Sequence, residues 1–332
     1  MENNSKREII VQKVEKFDDY IFDAKILNRI IALFFALFLV CFFVFDTKLK
    51  EQENIQNERY ERMLAELEAR QLNLIYSQTT PNSGNGNAQV ELESSAFKNA
   101  IDASICAFTK LRTYSTFEIE AKGITESSAA GQNVEIKMNS ISVKFENGIY
   151  YNKTVRKETK TNFGQTDGTE TVYTGTAKYV RKGENVRQEG DIYVADFSGK
   201  YEKQNSEVLS YAYYEINENT VLSSKSFSFV RNPDGTIAYY KATIICDAKG
   251  ATGKYAKEIQ EQGGTSYPNV SYLEISSIID RDGNLLSYNI NETMSMEKTI
   301  IISVTATANN DITYIVVSHD QTPSVPMPNY LS

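Results

Sequence analysis

Tryptophan is absent from this chain of 332 residues, histidine occurs once and cysteine three times. The single histidine, His319, leaves almost no material for a Ser-His-Asp or Cys-His catalytic arrangement or for a histidine-rich metal site. Glu118 and Glu120 lie two apart on one predicted strand, so they share a face and cannot flank a substrate as a glycosidase pair must. The sequence therefore predicts no catalytic residues, no metal site and no cofactor, and an enzyme is the least favoured of three functional hypotheses.

Cysteine scarcity limits covalent cross-linking. Cys41 lies in a long apolar run, so Cys106 and Cys246 are the only pair that could form a disulfide in the rest of the chain. Two buried free thiols are an equally good interpretation of the same two residues. The spacing does not decide between them.

A concentrated basic face is also missing. The net charge is −8, and its acidic and basic residues are spread along the chain. Proteins that bind nucleic acid usually concentrate lysine and arginine on one face. No nucleic-acid partner is therefore expected.

One apolar run stands out near the N-terminus. It begins at Ile30, ends at Phe45 and reads IIALFFALFLVCFFVF. With Lys25 and Arg29 reaching the headgroups, the span approaches the roughly 20 residues needed to cross a bilayer. No small-residue cleavage site follows it, which favours an uncleaved anchor over a signal peptide or a buried helix. The interpretation places the protein in a cell membrane as a single-pass protein, with residues 1–29 cytoplasmic and the large C-terminal body extracytoplasmic.

Between the predicted anchor and the body, residues 46–78 are charged and helix-favouring, which predicts a helical stalk. Tyr60, Leu67 and Leu74 are spaced by seven, but two or three heptads do not establish a coiled coil. A solvated single helix and a stalk that forms a homodimer both remain open. Residues 79–90 are rich in glycine, asparagine, serine and threonine and predict a flexible linker.

The body, residues 91–318, begins with a predicted amphipathic helix at 91–111, followed by a long series of strands with period-two alternation. Asn232-Pro233-Asp234-Gly235 and Asp280-Arg281-Asp282-Gly283 predict hairpin turns. A strand is expected at 211–216 and a second, short helix at 252–262. The remaining residues, 319–332, are expected to be a C-terminal tail.

This order of elements predicts a mainly β (α+β) fold, in which an antiparallel curved sheet or incomplete β-barrel packs on one long and one short helix. Three segments carry a resemblance to the LolA and LppX type of bacterial envelope protein: residues 96–123 (AFKNAIDASICAFTKLRTYSTFEIEAKG), the late hairpin at 282–285 and the closing strands at 300–317. The resemblance implies an incomplete β-barrel that closes over helices, as in lipoprotein carriers. A β-sandwich is the alternative architecture.

Two further functional hypotheses follow. In the first, the body binds a lipid or other apolar ligand between sheet and helix. In the second, it is a structural or protein-interaction component of the cell envelope. The residues expected to line an apolar site are equally suited to a dry core; they are Phe97, Ile101, Phe108, Met138, Tyr240 and Ile244.

Overall fold

The computed structural model describes residues 54–67, 94–129, 131–160, 166–211, 214–261, 266–299 and 303–331. The chain divides into two compact units, Met1–Arg59 and Tyr60–Ser332. The predicted cytoplasmic segment, the span at 30–45, much of the stalk and the linker lie outside the described residues and stay predictions. Within those ranges, no helix is both long enough and apolar enough to cross a bilayer.

The second unit is built mostly from strands. Residues 54–67 are helical, and their part within this unit, 60–67, is named α1. The other helices are α2 (Ala100–Thr113), α3 (Ala248–Ala251) and α4 (Gly253–Glu261). The strands are β1 (Phe117–Ala129), β2 (Gln132–Lys144), β3 (Tyr150–Lys160), β4 (Asp167–Tyr173), β5 (Lys178–Glu189), β6 (Ile192–Asp196), β7 (Glu202–Gln204), β8 (Val221–Arg231), β9 (Ile237–Cys246), β10 (Asn269–Asp280), β11 (Leu285–Thr299) and β12 (Ser303–His319).

All these strands belong to one antiparallel, open and curved sheet. Its order is β6-β5-β4-β3-β2-β1-β12-β11-β10-β9-β8, with β7 pairing β5 at the side. The pairing of β1 with β12 joins two hairpin series that are distant in sequence. The predicted mainly β class is therefore confirmed, and the described strands form a single sheet where a sandwich would need two.

The face of the sheet that carries α2, here the inner face, holds the main hydrophobic core. Ala103, Ala107 and Phe108 of α2 are buried against Tyr240 and Ile244 of β9. The helix begins at Ala100, because the Asn99 side chain accepts a hydrogen bond from the backbone N–H of Asp102 and caps it. The prediction that this helix already covers residues 94–99 is therefore wrong.

The turn predictions are confirmed. Gly235 and Gly283 adopt φ of 85° and 83°, the left-handed conformation that the two hairpins require. The short helix predicted at 252–262 is α4. The strand predicted at 211–216 is wrong for the described residues Tyr211 and 214–216: Tyr214 and Ile216 are buried in a loop over the inner face, and the N–H of Glu215 donates to the carbonyl of Ala251.

The opposite, outer face is covered in part by α1. Tyr60 and Met63 are buried there against Ile278 of β10, with Leu64, Leu67, Tyr239 and Leu286 packed around them. The Tyr60 hydroxyl lies 2.7 Å from Oγ1 of Thr243 on β9. Residues 60–67 of the predicted stalk thus pack against the sheet. Tyr60 and Leu67, two of the three heptad positions that left a homodimer open, contact the same unit, and Leu74 lies outside the described residues.

A second cover of the outer face follows β6. The ring of Phe197 lies over Gly168 and Gly183, which face each other on β4 and β5. A Cβ at Gly183 would lie 2.7 Å from that ring, so the paired glycines make the space that the phenylalanine fills. Lys153 and Arg181 place their cationic groups 4.9 Å and 5.8 Å from the ring centre.

A tyrosine-lined cavity as candidate functional site

A cavity of about 170 Å³ lies on the inner face, between the sheet and α4. All six aromatic residues that line it are tyrosines. Its lining residues are Met138, Ser140, Asn152, Thr154, Arg156, Tyr173, Tyr211, Tyr214, Tyr255, Glu258, Ile259, Tyr288, Ile312 and Tyr314.

The strand register explains the cavity floor. Tyr288 of β11 pairs with Tyr314 of β12, and the same row continues through Ala121 of β1 to Ser140 of β2 and Thr154 of β3. The rings of Tyr288 and Tyr314 stack with centres 4.5 Å apart and planes 3° from parallel. The tyrosine rings rise far above the sheet, whereas Ala121, Ser140 and Thr154 are short. The space above these short side chains is therefore left open beside the rings.

The cavity roof is held by a buried carboxylate, Glu292 of β11. Its Oε1 accepts hydrogen bonds from the Tyr255 hydroxyl at 3.0 Å and from Nδ2 of Asn310 at 2.7 Å. Its Oε2 accepts one from the Tyr214 hydroxyl at 2.9 Å. Tyr255 belongs to α4 and Tyr214 to the preceding loop, so one side chain of the sheet fixes both parts of the roof.

Burial governs the electrostatics of this carboxylate. The Glu292 side chain is inaccessible to solvent, and its desolvation raises its pKa above the usual value for glutamate, although the three donors oppose the shift. Desolvation likewise raises the pKa of Tyr214 and Tyr255 well above that of free tyrosine, with a further contribution from the neighbouring carboxylate. The phenols therefore remain neutral donors.

A second carboxylate, Glu258, fastens the other side of α4. It accepts hydrogen bonds from the Tyr173 hydroxyl and from Nζ of Lys178, the latter at 3.3 Å. Nζ of Lys178 also lies 3.8 Å from Oε2 of Glu261, and all three charged side chains are largely buried. Together with Glu292, these contacts attach the helix to β4, β5 and β11.

The cavity accordingly combines tyrosine walls, most of whose hydroxyls are already hydrogen-bonded, with a polar side formed by Ser140, Asn152, Thr154 and Arg156. The hydroxyls of Tyr173, Tyr214 and Tyr255 already donate to carboxylates, and the Tyr211 hydroxyl accepts from Ser142 at 3.1 Å. A cavity of about 150 Å³ takes one benzene molecule. The space therefore suits a single ring or the end of an apolar chain and is too small for a whole lipid.

The structure places most of the predicted ligand-lining residues elsewhere. Phe108, Tyr240 and Ile244 are buried in the core beneath α2, and Phe97 and Ile101 pack against that core. The gap beside Phe108 and Leu111 measures only about 10 Å³, so this interior is filled. Of the six predicted residues, Met138 alone lines the tyrosine cavity. Ligand contact by any of them stays a prediction.

The remaining chemistry-bearing residues lie outside the cavity. Cys106 and Cys246 are free thiols, and burial raises the pKa of Cys246 to about 12. His319 ends β12 and stacks on Tyr114 at 4.2 Å, so it is part of the sheet where a solvated tail residue was expected. Among the described residues, no group of three or more histidine, cysteine, aspartate or glutamate side chains could hold a metal ion.

A larger space, about 560 Å³, lies on the outer face between α1 and β6. Its lining mixes acidic and basic groups that pair with one another: Lys122 with Asp191, and Arg62 with Asp311 at 3.7 Å. Nδ2 of Asn139 also donates to the carbonyl of Tyr193, which holds β6 at the edge of this groove. These charged groups of the groove are therefore already paired with one another.

Comparison with known proteins gives only remote likenesses. No protein-family model matches the chain, and no curated protein matches it. A solved DUF1329 family protein from Desulfovibrio piger is similar at 11% identity and a TM-score of 0.24, covering 70% of this chain and 96% of its own. A putative outer membrane lipoprotein-sorting protein domain from Vibrio parahaemolyticus is similar at 13% identity and a TM-score of 0.25, covering 67% and 93%. At these TM-scores the likenesses support no inference about this chain.

Proposed function

We propose that this chain is a membrane-anchored, non-catalytic binding protein whose extracytoplasmic domain takes an apolar or amphipathic ligand into the tyrosine cavity. The observation that carries the proposal is the cavity itself. Beside α2 the described inner face is filled, with a gap of only about 10 Å³, whereas about 170 Å³ stays open between the tyrosines. Defined apolar cavities with a few placed polar groups are the usual form of a small-molecule site. The ligand part that enters is a ring or the end of a lipid chain.

The non-catalytic part of the proposal rests on how the cavity carboxylates are used. Glu292 and Glu258 accept hydrogen bonds from tyrosines and fasten the roof, whereas a hydrolytic pair would face each other across an open cleft. Anchoring rests on the apolar run at 30–45. With the anchor uncleaved, the domain binds its ligand beside the bilayer and does not shuttle as a free carrier.

Filling the cavity should abolish binding. Ser140 lies in the cavity floor, and in the Ser140→Trp variant the indole would occupy the hollow. The full chain, released from detergent in a native mass spectrometer, is expected to carry a lipid adduct as wild type and to lose it as Ser140→Trp. The matched control is Ser228→Trp, at an exposed position on the edge strand β8, which should keep the adduct.

Two results would contradict the proposal. One is an adduct equally abundant in wild type and Ser140→Trp, which would place the lipid elsewhere. The other is a wild-type chain that carries no adduct and takes up no added palmitate. Because tryptophan is otherwise absent, the emission of each variant reports on the indole's surroundings. A blue-shifted emission would verify that the Ser140→Trp indole is buried.

A further inference from the structure

The C-terminal tail is a proline-containing segment that lies against the outer face. It follows β12 and reads QTPSVPMPNYL over residues 321–331. Three of the six prolines in the chain, Pro323, Pro326 and Pro328, belong to it. Proline fixes φ near −65° and favours the extended polyproline II conformation. In the part of the chain that the structure describes, the tail adds no strand to the sheet.

The surface beneath the tail is a single register row that crosses five strands. Glu118 of β1 pairs with Val143 of β2, Val143 with Tyr151 of β3, Tyr151 with Val172 of β4, and Val172 with Tyr179 of β5. We name this row the tail groove. Val143, Tyr151 and Val172 are at most 5% exposed and form one hydrophobic cluster with Val325 and Tyr330 of the tail.

Each end of the tail groove holds one end of the tail. Glu118 accepts hydrogen bonds from the backbone N–H of Ser324 at 2.7 Å and from its hydroxyl at 2.8 Å. At the far end the ring of Tyr330 lies 5.2 Å from that of Tyr179. Glu118 thus holds the tail at Ser324, and the contact between Tyr179 and Tyr330 holds its other end.

The dimensions of the tail and the groove agree. Ser324 and Tyr330 are six residues apart, which spans about 19 Å at the polyproline II rise of 3.1 Å per residue. From β1 to β5 there are four strand spacings, or about 19 Å at 4.8 Å each. The tail reaches from Glu118 to Tyr179, with bends at Ser324 and Val325 and a turn at Tyr330, whose N–H donates to the carbonyl of Pro328. Its extended part is therefore residues 326–329.

We propose that the tail groove is a recognition site for extended, proline-containing peptides, and that the C-terminal tail is its intramolecular occupant. The matching ligand has a backbone N–H and a hydroxyl for Glu118, an aromatic residue six positions later for Tyr179, and prolines between them. Prolines favour such binding because less conformational entropy is lost when a pre-extended segment docks. Release of the tail exposes the groove to a segment of this kind from another protein.

The test uses the full chain with its tail weakened by Ser324→Ala and Tyr330→Ala, and a fluorescein-labelled synthetic peptide of residues 321–331. Fluorescence anisotropy should show the peptide binding the tail-released variant at least ten times more tightly than the wild type, since the attached tail competes at an effective concentration near the millimolar range. A peptide with glycine in place of its three prolines should bind about ten times more weakly.

The groove itself is tested by adding Glu118→Gln to the tail-released variant, with the exposed Glu126→Gln on the same strand as the matched control. The first should lose peptide binding and the second should keep it. A tail-released variant that remains folded but does not bind the peptide would overturn the proposal, as would one that unfolds, because the tail would then be part of the core. A dimer in which each chain binds the tail of the other would support the groove as a peptide site, with a second copy of this chain as the partner.

Discussion

Replacing Glu292 with alanine is expected to lower the free energy of unfolding by about 3–5 kcal/mol, because the three buried donors that surround it would lose their common acceptor. Tyr214, Tyr255 and Asn310 all donate to this carboxylate within 3.0 Å. For a domain of this size, the loss corresponds to a fall in Tm of roughly 10 °C. Urea denaturation of the full chain, followed by circular dichroism, measures the change.

Glu126→Ala serves as the control, since this glutamate is exposed on the same sheet and its removal should change stability by no more than about 0.5 kcal/mol. Equal stability of the Glu292→Ala and Glu126→Ala variants would contradict the role given to the buried carboxylate.

The same residue predicts a pH dependence with a definite sign. Burial raises the folded-state pKa of Glu292 above the unfolded value of about 4.3, so between these values the folded state binds more protons than the unfolded state. Its contribution to stability is therefore fully present below about pH 4 and is lost as the pH rises through the raised pKa. Glu292→Gln removes this titration, so its stability should fall less than that of wild type as the pH rises from 4 to neutrality.

Met63→Ala is expected to destabilise the domain by about 2–5 kcal/mol, the range found when a fully buried methionine is truncated in a packed interior. The Met63 side chain is completely buried between α1 and the outer face, where it contacts the cluster around Ile278. Chemical denaturation measures the loss, and hydrogen exchange at β10 should increase because this strand lies under the helix.

Glu61→Ala provides the matched control for α1, because Glu61 lies two residues before Met63 on the same helix and its side chain is 75% exposed. Its effect should stay within about 0.5 kcal/mol. If Met63→Ala were as harmless as Glu61→Ala, residues 60–67 would be a solvated stalk, as the sequence alone allowed.

The parts of the fold that sequence predicts are those fixed by local chemistry. Proline followed by glycine at Pro233 and Gly235, and the glycine at Gly283, determine two hairpin turns without reference to the rest of the chain. Alternation with period two gives strand class, since each strand has one buried side. The docking of α1 was missed because Tyr60 and Met63, three residues apart, suit a helix that packs on a sheet as well as one that pairs with a second copy.

The candidate site was missed for a different physical reason. Alternation shows which residues face inward but not whether the interior is filled, so Phe108 and Tyr288 look alike although only Tyr288 borders the hollow. A signal for Glu292 does exist in the sequence: it shares a strand face with Ile290 and Met294, which are both buried. A glutamate placed between two inward apolar residues predicts a buried, partnered carboxylate.

The position of Tyr211 and Tyr214 over the cavity is set by tertiary structure, which no local sequence pattern reveals. Tyr211 and Tyr214 come from a stretch whose composition favours a strand, and only their packing over the inner face shows that they line a cavity. The tail groove likewise depends on the register of five strands, which no local pattern specifies.

The most direct measurement is the location of a bound lipid chain within the full-length protein. A fatty acid that carries a photoreactive diazirine near its methyl end would be bound, irradiated and mapped by mass spectrometry, because the cavity admits a chain end. The account predicts cross-links on Tyr255, Ile259 and Tyr314, which line the tyrosine cavity and not the outer groove, and excess palmitate should suppress them. Cross-links confined to Phe97 and Ile101, at the start of α2, or to Lys137 in the outer groove would contradict it.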